Sequence, residues 1–191
     1  MQADYSVELG REDPVLELPW SAEDGARRYF DLKRHPDLVL QIPEAGNCPE
    51  LSTFLTRINA AGFPLQTAKC DIWYSQEISA EEEIFGASGK FVSYVDLVFA
   101  ADEQRVSFEE HEALAQGLCV LLQRAPEMAA TVEFVLRRCY YHQEGSPGES
   151  TSGFHITSYV TGFGDSEPEA RQRWSIALKL VQYALVQAAH R

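Results

Sequence analysis

Arg137, Tyr141 and His155 are the residues of this 191-residue chain whose types and spacing could do chemistry. A guanidinium, a phenol and an imidazole held together would form a cationic, hydrogen-bonding centre for a carboxylate or phosphate group. They lie on two strand-like segments, TVEFVLRRCYYHQ and FHITSYVTGF. Convergence depends on one pairing register, because a slip of one residue turns the whole set to the opposite face.

Cys48, in GNCPE, is a second candidate. A thiol at the start of a helix feels the positive end of the helix dipole, which lowers its pKa and favours the reactive thiolate. No base is spaced to partner it, and a small residue before a proline is ordinary helix-start chemistry. His111 stands among Glu109, Glu110 and Glu112, a metal-like composition, but adjacent helix residues point apart. Its spacing to Leu114 and Leu118 places it at the border of an apolar stripe instead. The run Glu81-Glu82-Glu83 reads as a solvated loop or a helix first turn. The chain contains no Asp-x-Asp-x-Asp-Gly loop, no glycine-rich phosphate loop, no G-x-S-x-G and no H-E-x-x-H. Neither a metal nor a cofactor is expected.

Composition narrows the classes further. With 45% hydrophobic residues the chain can bury a core without staples, and its length favours one domain. Cys48, Cys70, Cys119 and Cys139 stand 22, 49 and 20 residues apart with no C-x-x-C, which fits neither a zinc framework nor a disulfide scaffold. Sixteen Lys and Arg against twenty-nine Asp and Glu give a formal charge of −13, which disfavours phosphate backbones and so nucleic acid. The opening MQADYSVELGRED has no basic start followed by an apolar run, and no apolar stretch approaches the ~18 residues of a membrane span. A cytoplasmic protein with no membrane partner is expected.

The elements that must position these residues can be read from periodicity. In NCPELSTFLTRINAAGFP, Leu51, Phe54, Leu55 and Ile58 recur at helical spacing, Pro49 suits the first turn, and Gly62 with Pro64 supplies a stop. LQTAKCDIWYSQE and KFVSYVDLVFA read as strands joined by an acidic connection with room for a helical turn. SFEEHEALAQGLCVLLQRAP is a helix capped by Ser107 and Glu110. TVEFVLRRCYYHQ and FHITSYVTGF form the second strand pair, joined by the polar loop EGSPGESTSG. A long helix opens at Ser166-Glu167-Pro168-Glu169 and runs through Trp174, Ala177, Val181 and Leu185. Before residue 47, DPVLELPW suggests a short edge strand, SAEDGARRYFDLKRH a helix weakened by Gly25, and DLVLQIP an extended segment.

Ser-Tyr-Val occurs at Ser93 and again 65 residues later at Ser158, each time on the second strand of a strand–strand–helix unit. The order implies a single domain over 1–191, with an N-terminal arm (1–46), a first helix plus ββα unit (47–126) and a second ββα unit (127–191). The fold class expected is α+β: a two-layer sandwich, antiparallel sheet with helices on one face, ferredoxin-like, with the ββα unit duplicated or convergent.

Period-two alternation then sorts the strands. Ile72, Tyr74, Phe91, Val95, Leu97, Phe99, Val132, Phe134, Leu136, Ile156 and Val160 form the core set. The opposite set holds Lys69, Asp71, Trp73, Tyr94, Asp96, Arg137, Cys139, Tyr141, His155, Thr157, Tyr159 and Thr161, and its Trp73, Tyr94, Asp96, Arg137, Tyr141, His155 and Tyr159 give it an aromatic and polar composition suited to binding. Three uses are open to it: back-to-back homodimerisation, a groove for a small-molecule ligand, or burial under the N-terminal arm. The function expected is a non-catalytic binding or assembly module using this face. A small enzyme centred on Arg137, Tyr141 and His155 is the alternative.

Overall fold

Apolar residues at helical spacing and apolar residues at alternate strand positions meet along one surface. In chain order the elements are β1 (Gln2–Glu8), β2 (Leu16–Leu18), a 3-10 turn (Pro36–Gln41), α1 (Pro43–Asn47), α2 (Pro49–Ile58), β3 (Leu65–Ser75), a second 3-10 turn (Glu82–Phe85), β4 (Gly89–Phe99), α3 (Asp102–Arg105), α4 (Phe108–Leu122), β5 (Ala130–His142), β6 (Ser150–Gly164) and α5 (Glu167–Ala188). The computed structural model describes residues 1–23, 25, 27–142 and 149–189. The protein is a mixed α+β fold on one open six-stranded sheet, ordered β1-β5-β6-β4-β3, with β2 also on β5. The β3–β4, β4–β6 and β5–β6 pairs are antiparallel, whereas β1 and β2 run parallel to β5.

The expected core set lies where alternation puts it. Phe91, Val95, Leu97, Phe99, Val132, Phe134, Leu136, Ile156 and Val160 are buried in one cluster with Leu51, Phe54, Leu55 and Ile58 of α2, Leu118 of α4, and Trp174, Ala177, Val181 and Leu185 of α5. Ile72 and Tyr74 pack against it, partly buried. Trp174 is the centre of this layer. Its ring meets Phe91 edge-on at 5.1 Å and its Nε1 donates to Ser93 Oγ at 2.8 Å. Gly162 of β6 lets α5 come this close, since a Cβ there would run into the backbone of Ala170 and Trp174.

The helix signals translate into caps. Ser107 Oγ accepts from Glu110 N at 3.2 Å at the start of α4. Ser166 caps the start of α5 without a side-chain bond, and Glu169 instead reaches back to accept from Asp165 N at 2.8 Å. Of the EGSPGESTSG loop, residues 144–148 lie outside the described residues, and Ser150 to Gly153 belong to β6. Cys70 lies opposite Val95 against the helix-side core, whereas Cys139 lies opposite Gly153 in the cluster on the other side, so the two cysteines are not equivalent in their strand pairs.

The N-terminal region differs from expectation. Gln2–Glu8 is a strand, paired with β5 from Gln2↔Thr131 to Glu8↔Arg137. Residues 21–35 form no helix among those described. Ser21 and Arg28 make an isolated antiparallel bridge, with Ala22 N donating to Arg27 O and Tyr29 N to Trp20 O, each at 2.8 Å. Gly25, at φ 68, supplies the left-handed turn that reverses the chain, while Asp24 and Ala26 lie outside the described residues. DLVLQIP is a 3-10 turn rather than an extended segment, because Pro36 at its start and Asp37 in its first turn favour helical dihedrals. No helix among the described residues is long and apolar enough to cross a membrane.

Two glycines test this packing with opposite signs. Gly162→Ala is expected to lower stability by about 1–3 kcal/mol through overpacking against α5. Gly117→Ala, on α4 with nothing near its missing Cβ, is expected to raise it by roughly 0.5–1 kcal/mol. Urea unfolding of both variants checks the pair.

Candidate functional site

β4 and β6 pair so that Tyr94 lies directly opposite Tyr159 and Asp96 opposite Thr157; β5 and β6 pair so that Arg137 lies opposite His155. These side chains share the sheet face turned away from the helices. Thr157 is at their centre. Its Oγ1 donates to Asp96 Oδ1 at 2.6 Å and accepts from Arg137 Nη1 at 3.2 Å, with His155 Nε2 3.4 Å away. Arg137 also donates to Tyr159 Oη at 3.2 Å and, through Nε, to Glu8 Oε2 of β1 at 2.7 Å.

Burial decides the charge states in this network. Asp96 is 6% exposed and His155 3%. Desolvation raises the Asp96 carboxyl from 3.8 to about 6 against the opposing pull of the Thr157 hydrogen bond, Lys69 and Arg137. Desolvation, with the Arg137 charge adding to it, pushes His155 from 6.5 down to about 3. His155 is therefore neutral at pH 7, and its 3.7 Å separation from Asp96 Oδ1 is a contact between a carboxylate and a neutral ring, not an ion pair.

The remaining candidates separate from this centre. Tyr141 lies opposite Thr151, four residues further along β5 than Arg137, with its ring under the Arg105 guanidinium at 5.0 Å and its hydroxyl donating to Phe154 O at 2.6 Å. Trp73, on β3, is 40% exposed and joins an aromatic row across the sheet, 6.4 Å from Tyr94, which is 5.9 Å from Tyr159. Cys48 does cap α2, but its pKa is raised rather than lowered. Burial of the thiol and its contact with Glu50 Oε2, at 3.3 Å, outweigh the Leu51 amide and Arg171. His111 is buried, its Nδ1 2.7 Å from Ser107 O and its ring packed against Phe99 and Phe154.

The arm covers part of the polar face. Leu16 and Leu18 of β2 cluster with Ala68, Val98 and Cys139, and Trp20 Nε1 donates to Ala68 O of β3 at 2.8 Å. The chain thus crosses from β2, outside β5, to the β3 edge at one end of the sheet. Beside this crossing lies a cavity of about 650 Å³ whose walls include Trp20, Phe30, Leu32, Leu55, Cys70 and Tyr94, with Arg27, Arg28, Lys69, Glu17, Glu44 and Asp71 also lining it. A cleft of about 320 Å³ lies over Trp73 and Tyr159. A third, of about 960 Å³, contains Tyr141. Neither Arg137 nor His155 lines any of the three. Among the described residues no group of three His, Cys, Asp or Glu could hold a metal ion.

Alternation places Thr157 on the polar face between His155 and Tyr159, but its role as the centre of the network, and Glu8 and Trp20 altogether, were not singled out by sequence. Glu8 and Trp20 act across 129 and 48 residues respectively, and no local signal marks them. Compared with known proteins, the chain matches no family model, no curated protein and no solved structure.

Asp96 and His155 bias folding in opposite directions with pH. The raised Asp96 pKa contributes stability below pH 3.8 that is lost as pH rises through about 6; the depressed His155 pKa contributes stability above pH 6.5 that is lost as pH falls through about 3. Relative to the unmodified protein, Asp96→Asn is therefore expected to gain stability as pH rises from 4 to 6, and His155→Gln to lose it from 3 to 6.5. Denaturant midpoints across pH 3–8 check both signs. The thiols give a second expectation. With Cys70 and Cys139 raised to about 12, Cys119 to about 11 and Cys48 raised as well, a thiol reagent at pH 8 should label the folded protein at least about tenfold more slowly than a free thiol. Stopped-flow labelling checks this.

Proposed function

We propose that the protein is a non-catalytic binding module whose small-molecule ligand occupies the cavity between the N-terminal arm and the aromatic sheet face. One observation carries this. The arm crosses the face but leaves beside it a cavity of about 650 Å³, walled by aromatic and aliphatic side chains including Tyr94, with charged groups also on its lining. That size and chemistry match small-molecule sites, which are mostly apolar with a few polar groups to fix orientation. Of the cations on the lining Arg27 pairs with Glu44 at 3.8 Å, whereas Arg28 and Lys69, over the Phe30 and Trp20 rings at 5.6 and 5.5 Å, make no ion pair among the described residues, which favours an apolar ligand that ends in an anion.

Self-association through the outer end of the same face is the second reading, favoured by Trp73 at 40% exposure. The enzymatic alternative at Arg137, Tyr141 and His155 has less support, since Tyr141 stands apart and the other two reach none of the three clefts. A cytoplasmic setting without nucleic acid is supported by four unpaired thiols and the −13 charge. A two-layer arrangement is supported by the core cluster between the sheet and α2, α4 and α5, and duplication of the ββα unit by Tyr94 standing opposite Tyr159, which pairs the two Ser-Tyr-Val copies at the join of the two hairpins.

Titration with 1-anilinonaphthalene-8-sulfonate tests the cavity. Saturable one-to-one binding to the native protein is expected, reduced at least about tenfold by Ser21→Trp, which fills the lining from an exposed position. Equal dye binding by that variant would remove the reading. Light scattering on the same samples gives the assembly state, and twice the chain mass would favour the dimer.

A further inference from the structure

We propose that the separate cleft over Trp73 and Tyr159 is a second binding site, one that takes an organic ammonium group. Trp73, Val92, Tyr159, Thr131 and Thr161 line it together with Glu77, Glu82, Glu133 and Lys90. Three carboxylates against one ammonium leave an excess of two negative charges. Lys90 is already compensated, since its Nζ donates to both oxygens of Glu82 at 2.9 and 2.6 Å. Glu133 accepts from Ser6 Oγ at 3.1 Å and has no cationic partner among the described residues, and the Glu77 carboxylate has no partner among them at all.

The cleft therefore offers negative charge that no resident cation balances, next to aromatic rings. An indole face attracts a cation within ~6 Å of its centroid, a primary ammonium as well as a quaternary one. A volume of about 320 Å³ fits one such head group and sits at the small end of ligand sites. Arg137, over the Tyr159 ring at 5.7 Å, is a competing cation beside the row, and Glu8 pairs with it at 2.7 Å. No group of three metal-ligating side chains occurs among the described residues, so the carboxylates do not converge as a metal site does. The cleft over Trp73 thus carries an excess of negative charge, whereas the three cations and three carboxylates on the lining of the main cavity balance.

Calorimetric titration with tetramethylammonium chloride and with Nα-acetyl-lysine N-methylamide tests this, with neopentyl alcohol as the neutral isostere and sodium chloride at matched ionic strength. Saturable binding of at least one cation is expected. Trp73→Ala should weaken it about tenfold, Trp73→Phe less, and Glu133→Gln a few-fold, with the affinity falling as salt rises. Binding of tetramethylammonium alone would identify a free quaternary amine as the ligand type; binding of the lysine derivative would identify a lysine side chain. Glu77→Gln with Glu133→Gln, both exposed, keeps the test valid if Trp73→Ala does not fold. Absence of saturation by either cation, equal binding of the alcohol, or an unchanged affinity in both the Trp73 and the double glutamate variants would overturn the proposal.

Discussion

The antiparallel pairing of β4 with β6 is the constraint on which the rest depends. With Tyr94 opposite Tyr159, the even-numbered residues of β4 share a face with the odd-numbered residues of β6. Ser93, Val95, Leu97, Ile156 and Val160 then face the helices, and Tyr94, Asp96, His155, Thr157 and Tyr159 face away. Shifting that register by one residue would turn Asp96 into the helix-side core and Val95 onto the polar face. The pairing is held from both sides: by Trp174, wedged over Gly162 and Phe91, and by the Thr157 hydroxyl spanning to Asp96.

Thr157 shows how a polar group survives at the centre of a sheet. An ionised carboxylate that is 6% exposed is costly unless hydrogen bonds and opposite charge offset the lost water. Asp96 has a 2.6 Å bond from Thr157, and through that hydroxyl it is connected to Arg137 and Glu8. Glu8 enters because β1 runs parallel to β5 and ends at Arg137. One edge strand thus completes the charge balance of a residue three strands away.

The strand and helix pattern from residue 47 onward was legible because it is local. Leu51, Phe54, Leu55 and Ile58 declare α2 by spacing alone, and alternation separated core from polar positions on β4, β5 and β6. Alternation put Arg137, Tyr141 and His155 on one face, but the register that sets Arg137 opposite His155 and Tyr141 four residues further along is fixed by the strand pairing and carries no local signal. The N-terminal region resisted because its partners are distant. Gln2–Glu8 carries alternating Ala3, Tyr5 and Val7, a weak strand signal, and its pairing with β5 spans about 129 residues. The Cys48 environment was equally hidden, since Arg171 and the burial that raises its pKa come from the fold and not from the helix start.

The tether between Trp20 and Ala68 has a consequence for how this molecule behaves in a crowd of its own kind. β3 is a terminal strand, and a terminal strand with free amides and carbonyls is a template onto which another chain can add. Here the register breaks between Thr67 and Cys70, and the indole of Trp20 occupies the Ala68 carbonyl. A bulge interrupts the ladder and a side chain fills one of its rungs, so an incoming strand would find no straight, vacant edge along the middle of β3. The arm that shapes the cavity therefore also keeps the sheet finite.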